Sequence, residues 1–168
     1  MLAAARYPGP VYLRLGKSEV PILFEPGSPF RIGEALPVRP GRDVTILALG
    51  TMLGPSLEAA EALAELGVSA ELIGIHTIKP LDQESILASA RRTGAVLTVE
   101  EHSLIGGLGS AVAQLLASRD PVPMGFVGVN DVFGESGSEE DLYRAHGLTA
   151  QGISAKVLEL LGRKRGSG

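Results

Sequence analysis

From Asp43 onward, the sequence alternates between short runs of β-branched and aliphatic residues and longer segments with helical periodicity. A continuous apolar run such as Val44–Leu49 is typical of a strand that is buried on both faces. Strands that alternate with helices predict right-handed crossovers and a largely parallel sheet that is covered on both sides. The sequence therefore predicts a three-layer α/β/α sandwich with a mostly parallel sheet.

This pattern predicts four strands and five helices. The strands are expected at 44–49, 70–75, 95–100 and 126–129, and the helices at 56–66, 83–93, 107–118, 139–146 and 150–161. Two local signals mark the second helix, because Asp82 can accept hydrogen bonds from its first amides and Gly94 can end it in a left-handed turn.

The first forty residues contain seven of the eleven prolines of the chain. Proline removes backbone donors and biases its neighbour toward extended geometry. We therefore expect residues 1–40 to form an extended arm without a regular helix and with at most one short strand, Val11–Arg14. The domain proper is predicted at 41–162, and residues 163–168 are predicted to be a disordered tail in which Arg163-Lys164-Arg165 is solvated.

Composition excludes several classes of function. The net charge of −4, without a long basic stripe, argues against a nucleic-acid partner. The apolar runs are far shorter than a membrane span, and the chain of 168 residues has no cysteine for a disulfide or a thiolate nucleophile. The sequence does not open with a charged and then apolar leader, so we expect a cytoplasmic protein.

A glycine-rich segment precedes the predicted helix 107–118. Gly106, Gly107, Gly109 and Ser110 could direct free backbone amides at an anion. The segment does not complete the dinucleotide-binding fingerprint, because Val112 stands where a third glycine or alanine is required. The alternative is that the glycines allow close packing against a neighbouring backbone or subunit.

A cluster of acidic and histidine residues lies at the carboxyl end of the predicted strand 95–100, where open α/β sheets bind ligands. Glu100, Glu101 and His102 form this cluster. Adjacent residues of a strand point to opposite faces, so the three side chains cannot converge on one metal ion. A polar rim or a subunit contact made by Glu101 and His102 is favoured over acid/base chemistry, and no metal site is predicted. His76 and His146 are interpreted as structural or capping residues.

Several segments, in this order along the chain, resemble landmarks of transketolase-like thiamine-diphosphate enzymes. This family includes transketolase, deoxyxylulose-phosphate synthase and the β subunits of 2-oxoacid dehydrogenases. The matching segments are Pro10–Lys17, Gly41–Ile46, Ile78–Asp82, Gly94–Val112, Val127–Gly137 and Gly147–Ala150. The first resembles the last strand of the pyrimidine-binding domain of the family, and the others resemble its third, C-terminal domain.

The resemblance implies a fold and a place in a larger enzyme. The fold would be a mixed five-stranded sheet between helices with one antiparallel strand, so a fifth strand is expected at Phe30–Ile32 or in a segment that the pattern missed. The complete enzyme would transfer ketol groups between sugar phosphates with thiamine diphosphate and magnesium, which two preceding domains hold. Their Gly-Asp-Gly motif and activating glutamate are absent from this sequence. The resemblance thus implies a section that is inactive alone.

The resemblance also implies partners and one site residue. We expect a homodimer and a separate chain that carries the cofactor-binding domains. Arg14 matches the family arginine that meets the sugar phosphate, and a guanidinium suits that group well. In the isolated chain we expect Arg14 to be a solvated charge, and no catalytic residue is assigned.

Two other functions compete with this interpretation. The chain could be a free-standing α/β binding or assembly module without catalytic activity. It could also be a metal-binding or anion-binding protein that uses Glu101, His102 and the glycine-rich segment.

Overall fold

The structure of the chain is a computed structural model that describes residues 1–16, 20–25 and 27–166. Within these residues, five strands form one sheet in the order β1-β3-β2-β4-β5. The strands are β1 Leu36–Arg39, β2 Val44–Leu49, β3 Ala70–Ile75, β4 Val96–Ser103 and β5 Met124–Val129. The helices are α1 Leu2–Arg6, α2 Leu53–Glu65, α3 Gln83–Thr93, α4 Leu108–Arg119, α5 Glu139–Ala145 and α6 Ala150–Gly166, and a short 3₁₀ turn, Gly50–Met52, precedes α2.

The sheet is covered on both faces, and each face has its own apolar core. Ile46 of β2 packs in the core that contains side chains of α2 and α6, such as Leu63 and Val157. Its neighbour Leu47 packs in the opposite core, with side chains of α3 and α4 such as Ile86. Successive residues of one strand thus serve two helical layers, as the continuous apolar run requires. The predicted three-layer α/β/α sandwich is confirmed.

Elements with strong local sequence signals begin and end where the sequence predicts. Strands β2 and β3 and helix α3 begin and end at the predicted residues. Asp82 Oδ1 accepts a hydrogen bond from the amide of Ser85 at 3.1 Å, and Gly94 ends α3 with a φ of 66°. These contacts stabilise both ends of α3, as Asp82 and Gly94 predicted.

The fifth strand is β1, and the expectation of a strand at Phe30–Ile32 is wrong. β1 pairs antiparallel with β3, with Leu36 opposite Gly74. Pro37 is compatible with this position because β1 is an edge strand, where a missing backbone donor is tolerated. The sheet therefore begins at Leu36, inside the range that was assigned to the arm, and a boundary at residue 41 would cut through it.

The arm also differs from its prediction. A helix of five residues, α1, precedes the first proline, Pro8, and buries none of its side chains. It is compatible with the sequence because residues 2–5 are alanine and leucine, which favour helix. The segment Val11–Arg14 is not a strand, since no strand of the described chain pairs with it.

The predicted tail is wrong as far as the structure describes it, because α6 continues to Gly166. Lys164 is not a solvated terminus. Its Nζ donates to the backbone carbonyls of Thr93 at 2.5 Å and Asp43 at 3.2 Å. Thr93 is the last residue of α3, so this cation satisfies a carbonyl group that has no partner within the helix. Residues 167 and 168 lie outside the described residues.

Among the described residues, no helix combines the length and the apolar character that are needed to cross a membrane.

Candidate functional site

The candidate site lies at the carboxyl edge of the sheet, between β2 and β4. β3 pairs with one side of β2 and β4 with the other, and the helices that follow β2 and β3 pack on opposite faces. Such a reversal leaves a crevice beyond the strand ends, which is where open α/β sheets bind ligands. Thr51 follows the end of β2 and Glu101 lies in the last part of β4.

Glu101 is the centre of a polar cluster in this crevice. Its Oε2 accepts hydrogen bonds from Thr51 Oγ1 at 2.7 Å and from the Tyr143 hydroxyl at 2.9 Å. On the side of the arm, Arg14 Nη1 donates to the Glu101 carbonyl oxygen at 3.3 Å, and Arg14 Nη2 lies 3.9 Å from Oε1. We call these four residues the Glu101 cluster. It joins the arm, the 3₁₀ turn after β2, β4 and α5.

The electrostatics of the Glu101 cluster differ between its inner and outer sides. Partial burial raises the pKa of the Tyr143 phenol above its ordinary value, and the hydrogen bond to Glu101 raises it further. The phenol is therefore protonated at neutral pH and can donate. On the outer side, 57% of the Arg14 side chain is exposed, so water screens its attraction to Glu101, and the pair contributes about 0–1 kcal/mol.

Glu100 points to the opposite face of β4 and is fully buried. Its Oε2 accepts from the amide of Leu108 at 2.7 Å, and its Oε1 accepts from the amide of Gly109 at 2.8 Å. These are the first amides of α4, which have no partner within the helix. Glu100 is thus an internal anion at the N-terminus of α4, where negative charge is stabilised by the helix dipole.

This carboxylate explains the glycine-rich segment. A Cβ at Gly107 would lie 2.0 Å from Glu100 Oε2, and a Cβ at Gly109 would lie 3.3 Å from Oε1. The amide of Gly106 donates to Ser110 Oγ at 2.9 Å. Close approach to Glu100 therefore requires glycine at 107, whereas a Cβ at Gly109 would lie still closer to Phe126, at 2.8 Å, and Gly106 has open space but a φ of 81°. Binding of an external anion, or contact with another subunit, stays a prediction for these residues.

The structure separates the histidines from Glu101. His102 is exposed, and its Nδ1 lies 3.1 Å from the carbonyl oxygen of Ser103. His146 is the residue that ends α5. The His76 ring lies 5.2 Å from the Phe30 ring, and partial burial lowers the pKa of His76. In the described part of the chain, no three acidic or histidine side chains form a group that could hold a metal ion.

Sequence reasoning identified Arg14 and Glu101 but missed two residues of the Glu101 cluster. Thr51 had a usable signal, because it follows the predicted strand 44–49 at the edge where ligands bind. Tyr143 had no such signal, since only the packing of α5 brings it to β4.

Comparison with known proteins identifies the family of this chain. The model of a family described as the transketolase C-terminal domain matches residues 33–153. The chain belongs to the transketolase C-terminal domain family. The mixed sheet with one antiparallel strand agrees with the fold that membership implies.

Two relatives illustrate the range of this transketolase C-terminal domain. A 6-deoxy-6-sulfo-D-fructose transketolase subunit from Clostridium sp. is 47% identical over 93% of this chain and 48% of the relative. A protein named as a putative transketolase C-terminal section from Methanocaldococcus jannaschii is 40% identical over 92% of this chain and 49% of the relative. The chain therefore spans about half the length of these relatives.

A solved structure agrees closely with the fold. It is described as a split gene transketolase, an inactive β4 tetramer, and it superposes with a TM-score of 0.93 at 49% identity. The match covers 96% of this chain and 53% of the solved chain.

Proposed function

We propose that this chain is the C-terminal section of a transketolase-type enzyme that transfers ketol groups between sugar phosphates. In this proposal a separate chain completes the enzyme, and the section is inactive alone. The observation that carries the proposal is the position of Arg14, which the Glu101 cluster holds at the carboxyl edge of the sheet. Ligands of open α/β sheets bind at this edge.

Arg14 has the chemistry that a sugar phosphate requires. A guanidinium has five donors in a fixed plane, and two of them can bind two phosphate oxygens at once. More than half of the Arg14 side chain is exposed, so donors remain for a ligand that a neighbouring chain presents. We assign to Arg14 the binding of the substrate phosphate in the complete enzyme.

Thiamine diphosphate and magnesium belong to the partner chain in this proposal. The residues of this chain do not fit them, because the described carboxylates at the sheet edge have other partners. Glu100 accepts from two backbone amides, and Glu101 accepts from Thr51 and Tyr143. The name of the Clostridium relative, a transketolase subunit, supports an enzyme of more than one chain.

The test is reconstitution. The chain is mixed with a partner that contains the Gly-Asp-Gly motif and the activating glutamate, and ketol transfer is measured with thiamine diphosphate and magnesium. We expect activity only when both chains are present, and no magnesium-dependent binding of the cofactor by this chain in calorimetry. Activity or tight cofactor binding by this chain alone would contradict the proposal, and inactivity of the mixture would leave the free-standing assembly module as the better reading.

Variants then test Arg14 within the reconstituted enzyme. Arg14→Gln should raise the KM for a phosphorylated aldose by about ten- to a hundred-fold, because a hydrogen bond to a charged group contributes about 1.5–3 kcal/mol. The matched control is Arg42→Gln, since Arg42 is exposed and precedes β2 at the opposite edge of the sheet. Equal effects of the two variants would refute the role of Arg14.

We also propose that the chain forms a homodimer and is cytoplasmic. β5 is an edge strand that pairs only with β4 among the described strands, and an edge strand is a place where a strand of a second chain can pair. The solved tetramer supports self-association of proteins of this type. Light scattering at about 20 µM, a concentration suited to interfaces of ordinary affinity, should give the mass of a dimer. A monomer would refute self-association, and a tetramer would correct its order.

A further inference from the structure

We propose that Glu101 is a positioning residue for Arg14 and thereby sets the preference of the enzyme for substrates with an anionic end group. This inference rests on the proposed function. In this role Glu101 acts on the arginine and does not contact the substrate.

Glu101 contacts the guanidinium at two points. Its backbone carbonyl accepts from Nη1 at 3.3 Å, and its carboxylate oxygen Oε1 lies 3.9 Å from Nη2. The hydrogen bond and the ion-pair contact together restrict where the exposed guanidinium lies. The backbone contact comes from β4, which has a neighbouring strand on each side in the sheet.

The carboxylate of Glu101 is itself fixed. Its other oxygen, Oε2, accepts from Thr51 and Tyr143 at 2.7 and 2.9 Å. Rotation of the carboxylate away from Arg14 would break both of these hydrogen bonds. Thr51 and Tyr143 therefore hold Oε1 in the direction of the arginine.

The arm needs this support because it has no strand pairing of its own. Residues 11–16 make no ladder with the described sheet, and Val11, Leu13 and Leu15 are exposed. The arm nevertheless runs past the same threonine, since a Cβ at Gly16 would lie 3.1 Å from Thr51 Cγ2. Thr51 thus contacts the arm through its methyl group and Glu101 through its hydroxyl.

The test compares two substrates in the complex with the partner chain. Glu101→Gln retains the length of the side chain and an oxygen for Thr51 and Tyr143, but its amide nitrogen would face Arg14. We expect the KM for a phosphorylated aldose to rise by about two- to five-fold, the range of an exposed ion pair. The kcat, and the KM for an unphosphorylated aldose, should stay unchanged.

A double variant and two conservative variants separate positioning from a structural role. In the background of Arg14→Gln, the substitution Glu101→Gln should cause no further rise in KM, because the two residues act through one contact. Thr51→Val and Tyr143→Phe leave Glu101 in place but release its carboxylate, so each should raise the same KM by a smaller factor. These two variants also keep the test available if Glu101→Gln fails to assemble.

The outcomes distinguish the two proposals. If Arg14→Gln raises the KM for the phosphorylated aldose and Glu101→Gln does not, the positioning role is refuted and the proposed function stands. If Glu101→Gln raises the KM for both aldoses equally, its role is structural and the inference is refuted. If wild-type complex transfers no ketol group, both proposals fail together.

Discussion

Replacing Glu100 by glutamine tests how far helix α4 depends on an internal carboxylate. Glu100 is fully buried, and each of its oxygens accepts from one amide at the start of α4. Glutamine has the same shape but only one oxygen, so its amide group would face a second backbone N–H. The variant loses one charge-assisted hydrogen bond, which contributes about 1.5–3 kcal/mol, and an interaction with the helix dipole of about 0.3–2 kcal/mol. Burial of a neutral side chain offsets part of this loss.

We therefore expect Glu100→Gln to lower the free energy of unfolding by about 2–4 kcal/mol. The measurement is equilibrium urea unfolding followed by far-ultraviolet circular dichroism, with the slope of the transition checked against wild type. The matched control is Glu61→Gln, because Glu61 is exposed on α2 and its substitution should change stability by less than about 0.5 kcal/mol. A Glu100→Gln variant as stable as the control would refute the argument that this carboxylate holds the start of α4.

Three further predictions concern other contacts. Gly107→Ala would place a Cβ 2.0 Å from Glu100 Oε2, so it should lower the free energy of unfolding in urea by at least about 2 kcal/mol. The control is Gly162→Ala, which should be neutral or slightly stabilising because a Cβ at Gly162 has open space. Equal effects of the two variants would refute the argument that Glu100 excludes a side chain at 107. Folding raises the pKa of Tyr143. The contribution of the protonated phenol to the free energy of unfolding is therefore complete below its ordinary pKa of about 10, and it is lost as pH rises through the pKa of the folded state. Tyr143→Phe should lose stability less steeply than wild type above about pH 10, and identical pH profiles would contradict this. Lys164→Met removes two hydrogen bonds to carbonyl groups and should lower the free energy of unfolding by about 1–3 kcal/mol. An unchanged unfolding midpoint would contradict this expectation.

The elements that the sequence predicted well are those with complete local signals. Helix α3 has a capping aspartate at one end and Gly94 at the other, and β2 is a continuous apolar run, so neighbouring residues alone determined their bounds. β1 was missed because Pro37 weakens its strand signal and because its only partner among the described strands, β3, lies more than thirty residues later in the chain. The last turns of α6 were missed for a similar reason, since the partners of Lys164 lie in distant parts of the sequence.

A residue of the candidate site was predictable only where its own position in the sequence indicated its role. Glu101 follows the predicted strand 95–100 at the expected edge of the sheet, and Arg14 stands in a family motif, so both were found. The glycine-rich segment was recognised as a helix start, but a helix start does not reveal which anion occupies it. In the structure Glu100, from the preceding strand, supplies that anion. Tyr143 reaches Glu101 from α5 through tertiary packing, which no spacing in the sequence records.

The alternation of Glu100 and Glu101 along β4 has a consequence for protein engineering. One carboxylate faces inward to α4 and the next faces the arm, so a deletion or insertion of one residue earlier in the strand would exchange the two faces. After a deletion, His102 would take the position that faces the arm, and Glu100 would take the buried apolar position of Val99. After an insertion, Val99 would take the position of Glu100 and leave the first amides of α4 without a carboxylate. Designers of chimeric or linker-modified versions should therefore keep the length of 96–103 fixed. Splices are better placed in the exposed segment 131–137, which has no strand or helix to shift.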